Sequence, residues 1–103
     1  MVGVMAYRFT EPIWEHHGQG SWHFITLPHD VTDEIDELTE ERRRGFGSVR
    51  VQVTVGVTSW ATSIFPDTKR GSFVLPVKKA VRTAEGLVDG DPVDVELDLL
   101  DPA

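Results

Sequence analysis

Lys78, Lys79 and Arg82 form a short cationic cluster whose spacing is suited to binding an anion. Residues 60–84 carry five basic side chains and one acid, a net charge of +4, in a chain with a formal net charge of −7. The rest of the chain is therefore at −11, which is −7 minus +4. Lys78 and Arg82 are four positions apart and would share one face of a helix. The N-terminus of that helix would itself favour an anion.

Side chains that precede this cluster would complete a ligand site. Trp60 offers an aromatic wall and Thr62 a hydroxyl group, and Trp22 would join them if neighbouring strands face the same helix. We predict that a small anionic molecule or an acidic peptide binds to Trp60, Thr62, Ser63, Lys78, Lys79 and Arg82. The alternative is that the basic residues are the solvated face of a helix in an acidic protein.

Other site chemistries have less support in the sequence. Glu15 and His17 have the spacing of two metal ligands on a strand, but they fall in a predicted surface loop without a matching third ligand. Ser59 or Ser63 could pair with His23 as a base, yet no G-x-S-x-G turn is present. Neither glycine-rich nucleotide fingerprint occurs. We therefore predict no metal and no cofactor, and a binding module rather than an enzyme.

Composition limits the class of protein and its partners. A chain of 103 residues with 40% hydrophobic and 26% charged residues is typical of one globular domain, here residues 1–103. There is no cysteine, no signal-like N-terminus and no apolar run of about 20 residues, which favours the cytoplasm over a membrane. A net charge of −7 makes nucleic acid an unfavourable partner.

Two segments have the pattern of helices. Over residues 30–45, Val31, Ile35 and Leu38 recur at helical spacing, with Asp30 as a plausible N-cap and three arginines before Gly45 at the end. The second predicted helix covers residues 76–86, with Pro76 in its first turn and Gly86 beyond its end. Its buried stripe would consist of Val77, Ala80, Val81 and Ala84.

The remaining segments alternate as strands do. Residues 48–55 place four valines on one face, and residues 93–99 place Val93, Val95, Leu97 and Leu99 on one face. Residues 10–21 are polar and contain glycine, which indicates a hairpin loop. The predicted order is β-β-α-β-β-β-α-β. Its connections are short, and six strands with two helices favour a small closed or nearly closed barrel.

A short turn links this pattern to a known family. Gly90 and Asp91 precede the last strand and resemble the GD-box turn of cradle-loop barrels, including AbrB-like regulators. With that turn in place, residues 5–99 resemble the domain of unknown function DUF1905. An LP-x-K-K-A-x-R segment begins at Leu75, and a T-S-x-F-P segment begins at Thr62.

The resemblance implies a fold but no activity. Members of the family look like double-split barrels related to AbrB, so we expect a mainly β, six-stranded barrel capped by two short helices. The predicted function is that of a cytoplasmic binding or interaction module for a small anionic ligand, an acidic peptide or a protein partner. The alternatives are an AbrB-like DNA-binding regulator and a small enzyme.

Overall fold

The computed structural model describes residues 6–18, 20–39 and 47–100. Six strands and two helices follow one another in the predicted order: β1 (Ala6–Gly18), β2 (Gly20–Thr26), α1 (His29–Thr39), β3 (Val49–Val55), β4 (Thr58–Asp67), β5 (Ser72–Pro76), α2 (Lys79–Glu85) and β6 (Pro92–Leu99).

The six strands form a closed antiparallel barrel in the order β1-β2-β5-β4-β3-β6. β1 closes it because it pairs with β6 over Ala6 to Pro12 and then with β2 over Ile13 to Gly18. The predicted mainly β, six-stranded barrel with two short helices is confirmed. Neither helix is long and apolar enough to cross a membrane, within the ranges that the structure describes.

The predicted loop over residues 10–21 is wrong for most of its length, because β1 continues to Gly18 and β2 begins at Gly20. Ile13 is fully buried opposite Ile25, and Trp14 lies opposite Phe24. These cross-strand pairs stabilise an extended backbone despite the polar residues on either side of them. His17 is consequently an exposed residue of a strand, not of a loop.

The alternation predicted for β3 and β6 is confirmed. Val49, Val51, Val53 and Val55 are all buried, and so are Val93, Val95 and Leu97, whereas Leu99 packs against the core while partly exposed. The two strands lie side by side, with Val53 opposite Leu97. The barrel interior is filled by these rows and by large side chains from the other strands, including Ile13, Ile25, Ile64, Phe73 and Leu75.

α1 buries a narrower stripe than the sequence predicted. Val31 and Ile35 are buried, but Leu38 is 45% exposed. Asp30 lies inside the first turn rather than at the cap, since the helix begins at His29. The predicted end of this helix, with its three arginines and Gly45, lies outside the described residues.

α2 is shorter than predicted and begins at Lys79. Pro76 is the last residue of β5, where it pairs with Phe24 of β2. Val77 and Val81 are buried, whereas Ala80 and Ala84 are exposed. Val81 is the buried residue of α2, so the two alanines of the predicted stripe face solvent.

The turn before β6 has the predicted geometry. Gly90 has a φ of 92°, a value that L residues with a side chain rarely adopt. The Asp91 carboxylate accepts a hydrogen bond from the amide of Val88 at 2.9 Å. The amide of Gly90 donates to the carbonyl of Ile13 at 2.7 Å, which ties the turn to the middle of β1.

Candidate anion-binding cleft

The short strand β5 shapes the candidate site. β5 has only five residues, and it pairs with β2 over Phe24 to Thr26 and with β4 over Phe65 to Asp67. Both neighbours extend beyond the last residue of β5, Pro76, which leaves the segment before α2 to lie between them. The amide of Val77 donates to the carbonyl of His23 at 2.9 Å and fixes this segment against β2.

The cationic cleft lies beside this segment and has a volume of about 690 Å³. We use that name for the cavity lined by residues of β2, β4 and the segment from β5 into α2: Trp22, His23, Trp60, Ala61, Thr62, Phe65, Pro76, Val77, Lys78, Lys79 and Arg82. A cavity of about 300–1,000 Å³ is typical of small-molecule sites.

The lining combines side chains from both faces of the wall. Successive residues of a strand point to opposite sides of the sheet. His23 belongs to the same row of β2 as buried Ile25, and its side chain is only 11% exposed. Trp22 belongs to the opposite row and is 57% exposed. The cleft therefore reaches from the outer surface into the wall of the barrel.

Three cations line the cleft on the side of α2. Lys78 and Lys79 are exposed, and Arg82 is half-buried. The Nε atom of Arg82 donates to the carbonyl of Val77 at 3.3 Å, which holds the guanidinium beside the segment that enters the helix. None of the described residues that line the cleft is an aspartate or a glutamate. Because α2 has only seven residues, the positive character of the cleft comes from side chains rather than from the helix.

The structure brings together five of the six predicted site residues. Trp60, Thr62, Lys78, Lys79 and Arg82 all line the cleft, and Trp22 joins them. Ser63 does not line it.

Ser63 belongs to the same row of β4 as Ala61 and Phe65, which do line the cleft, so its facing alone does not separate it from them. It lies across from Arg50, whose guanidinium is 3.4 Å from the Ser63 hydroxyl.

His23 is one of the lining residues that the sequence analysis did not assign to this site. Its Nε2 atom is 4.0 Å from Oε1 of Glu15, which is its cross-strand neighbour on β1. The Nδ1 atom is buried without a hydrogen-bond partner. The candidate nucleophile Ser59 is 2.7 Å from the Thr54 hydroxyl on β3. Ser63 lies beside Arg50, so the structure does not place either serine in a His23 pair.

Metal ligands do not gather around this site. Over residues 6–18, 20–39 and 47–100, no three His, Asp or Glu side chains lie close enough together to hold an ion. The cleft therefore offers the charges of Lys78, Lys79 and Arg82 with aromatic side chains beside them.

The fold and the site define a class of protein: a small closed β-barrel with a cationic cleft where one strand is short. The family model for the domain of unknown function DUF1905 matches residues 9–97. The chain belongs to the DUF1905 family, as its motifs indicated. A search of curated proteins found no significant sequence match.

Proposed function

We propose that this protein is a binding module whose cationic cleft takes a small anionic ligand. The observation that carries the proposal is the convergence of Lys78, Lys79 and Arg82 on one cavity whose described lining has no carboxylate. Cations held near one another repel, and a ligand anion would offset that repulsion. Arg82 would contribute a planar pair of donors suited to a carboxylate or a phosphate.

Nearby carboxylates are engaged elsewhere, which supports this proposal. Glu85 accepts hydrogen bonds from the Thr58 hydroxyl and from the amide of Val57. Asp67 accepts a bond from the amide of Lys69 and lies 3.8 Å from the Arg70 guanidinium. Among the described residues, neither of these acids forms an ion pair with Lys78, Lys79 or Arg82. An acidic peptide would use the same cations, but the volume of the cleft favours a small molecule.

A finer assignment of the fold also belongs to this proposal. The turn at Gly90 and Asp91 and the closed barrel support a double-split, AbrB-related type. Such a relationship would suggest a DNA-binding regulator only by analogy of fold. The charge of −7 disfavours this alternative, because phosphate contacts dominate affinity for duplex DNA. Retardation of duplex DNA at low salt that disappears with added salt would support the regulator instead.

The test is a thermal-shift screen of phosphates, nucleotides and carboxylates at constant ionic strength. A ligand that binds the folded state stabilises it by about 2.7 kcal/mol at a hundred times its dissociation constant. We expect hits whose shift is lost in Arg82→Ala. Arg50→Ala is the matched control, because it removes one exposed cation that does not line the cleft and lies beside Ser63.

Phosphate and sulfate also stabilise proteins by exclusion from the surface. That general effect will be equal in the wild type, Arg50→Ala and Arg82→Ala. Equal shifts in all three proteins for every compound would refute the proposed function.

A further inference from the structure

An aromatic groove continues from the cationic cleft along the outer face of β2, β5 and β4. It has a volume of about 600 Å³ and shares Trp22, Phe65 and Pro76 with the cleft. Phe24 and Lys69 also line it. Because the two cavities share these walls, a ligand anchored by the cations of the cleft would extend onto an aromatic surface.

Three aromatic side chains form a row with one open end. The ring of Trp22 lies nearly parallel to that of Phe24, with 6.4 Å between centroids and 13° between planes. The centroids of the Phe24 and Trp14 rings are 5.2 Å apart, with 37° between their planes. The Arg70 guanidinium lies 3.9 Å from the centroid of the Trp14 ring. Arg70 therefore covers the Trp14 end of this row. Trp22, at the other end, is 57% exposed and borders the cationic cleft.

We propose that the anionic ligand is a free mononucleotide, with its base stacked on Trp22 and its phosphate bound by Lys78, Lys79 and Arg82. This inference rests on the proposed function and adds the chemical class of the ligand. Every nucleobase has a flat π face, so stacking on an exposed indole needs no particular base. Two negative charges on a phosphate monoester complement a cluster of three cations better than a single carboxylate does.

The groove also supplies polar groups for the edge of a heterocycle. His16, Thr68 and Lys69 line it beside the aromatic rings. Asp67, the one acid among the described residues that line the groove, lies 3.8 Å from the Arg70 guanidinium. A purely hydrocarbon ligand would leave these polar groups unused. A single-stranded polyanion would meet the long-range repulsion of a chain at −7, which favours the free mononucleotide.

The experiment is calorimetric titration with adenosine 5′-monophosphate, ribose 5-phosphate and inorganic phosphate at one ionic strength. We expect the mononucleotide to bind about tenfold or more tightly than ribose 5-phosphate, the gain that one stacked base provides. Trp22→Ala should abolish the difference in affinity between the two compounds and leave the affinity for ribose 5-phosphate unchanged. Trp22→Phe should retain part of that difference. The exposure of Trp22 means that melting curves of both variants should match the wild type.

The possible results separate the inference from the proposed function. In one result, the wild type binds the mononucleotide and ribose 5-phosphate with equal affinity, and Arg82→Ala binds neither. That result would contradict the assignment of a mononucleotide but would agree with the proposed anion site. Absence of Arg82-dependent binding for all three compounds would overturn both. A single-stranded oligothymidylate that binds more tightly than the mononucleotide, and weakens in Lys69→Ala, would also overturn the assignment to a free mononucleotide.

Discussion

The Glu85 carboxylate accepts a 2.6 Å hydrogen bond from the Thr58 hydroxyl and so joins α2 to the start of β4. The same carboxylate oxygen lies 3.3 Å from the amide of Val57, in the turn between β3 and β4. Arg82 lies one helical turn before Glu85 and lines the cationic cleft. The contact between Glu85 and Thr58 therefore helps to set the position of the cleft cations against β4.

Gly56 should be coupled energetically to this contact. It has a φ of 60°, and a Cβ atom built there would lie 2.0 Å from Oε1 of Glu85. Gly56→Ala should destabilise the protein both through the left-handed backbone and by displacing Glu85 from Thr58. In a Glu85→Ala background only the backbone effect remains, so we expect a coupling of about 1 kcal/mol in urea melts of the four proteins. Additive losses would show that the carboxylate moves aside without losing its hydrogen bond.

Asp91 should stabilise the turn before β6 through its side chain. Asp91→Ala removes the acceptor of the Val88 amide, and we expect a loss of about 1 kcal/mol in the free energy of unfolding. Asp91→Asn keeps a carbonyl oxygen at that position and should retain most of the stability. Chemical denaturation of the two variants checks this. An equal loss in both would assign the effect to charge rather than to the hydrogen bond.

Substitutions at Val53 and at its neighbour Gln52 test which face of β3 is buried. Val53 is fully buried between Trp60 and Leu97, so Val53→Asp should lower the free energy of unfolding by more than about 3 kcal/mol. The matched control is Gln52→Thr, expected to change it by less than about 1 kcal/mol. Aspartate is unsuitable as the control because position 52 lies opposite Asp98. Comparable losses at the two positions in urea would contradict the described facing.

Tyr7 should titrate above its ordinary value. Burial raises the pKa of the phenol above 10.0, and Glu34, whose carboxylate lies 3.4 Å from the hydroxyl, raises the pKa further. The folded state then holds this proton more tightly than the unfolded state. Its contribution to stability is complete below pH 10.0 and is lost as pH rises through the pKa of the folded protein.

Phenolate absorbance measures this directly, because Tyr7 is the one tyrosine of the chain. The midpoint should fall to the ordinary value in concentrated urea. Glu34→Gln should lower the midpoint only in part, since burial is the larger cause. A native midpoint equal to that of the unfolded chain would contradict the expected environment of Tyr7.

Strand facing and turn chemistry were predictable because they depend on neighbours along the chain. The valines of β3 and the Gly90–Asp91 turn required only period-two alternation and a positive φ. The course of β1 beyond Thr10 was not predictable in this way. Polar residues and glycine indicated a loop, but cross-strand pairing of Ile13 with Ile25 outweighed that local preference.

The sequence by itself determined the family, the order of elements and the cationic cluster before and within α2. Only the tertiary structure decided that Trp22 of β2 and Trp60 of β4 border that cluster, and that Ser63 does not. This outcome depends on where short β5 ends relative to both neighbours, with Pro76 opposite Phe24 and Val74 opposite Phe65. Register between strands distant in sequence follows from packing of the whole barrel, which no local pattern encodes.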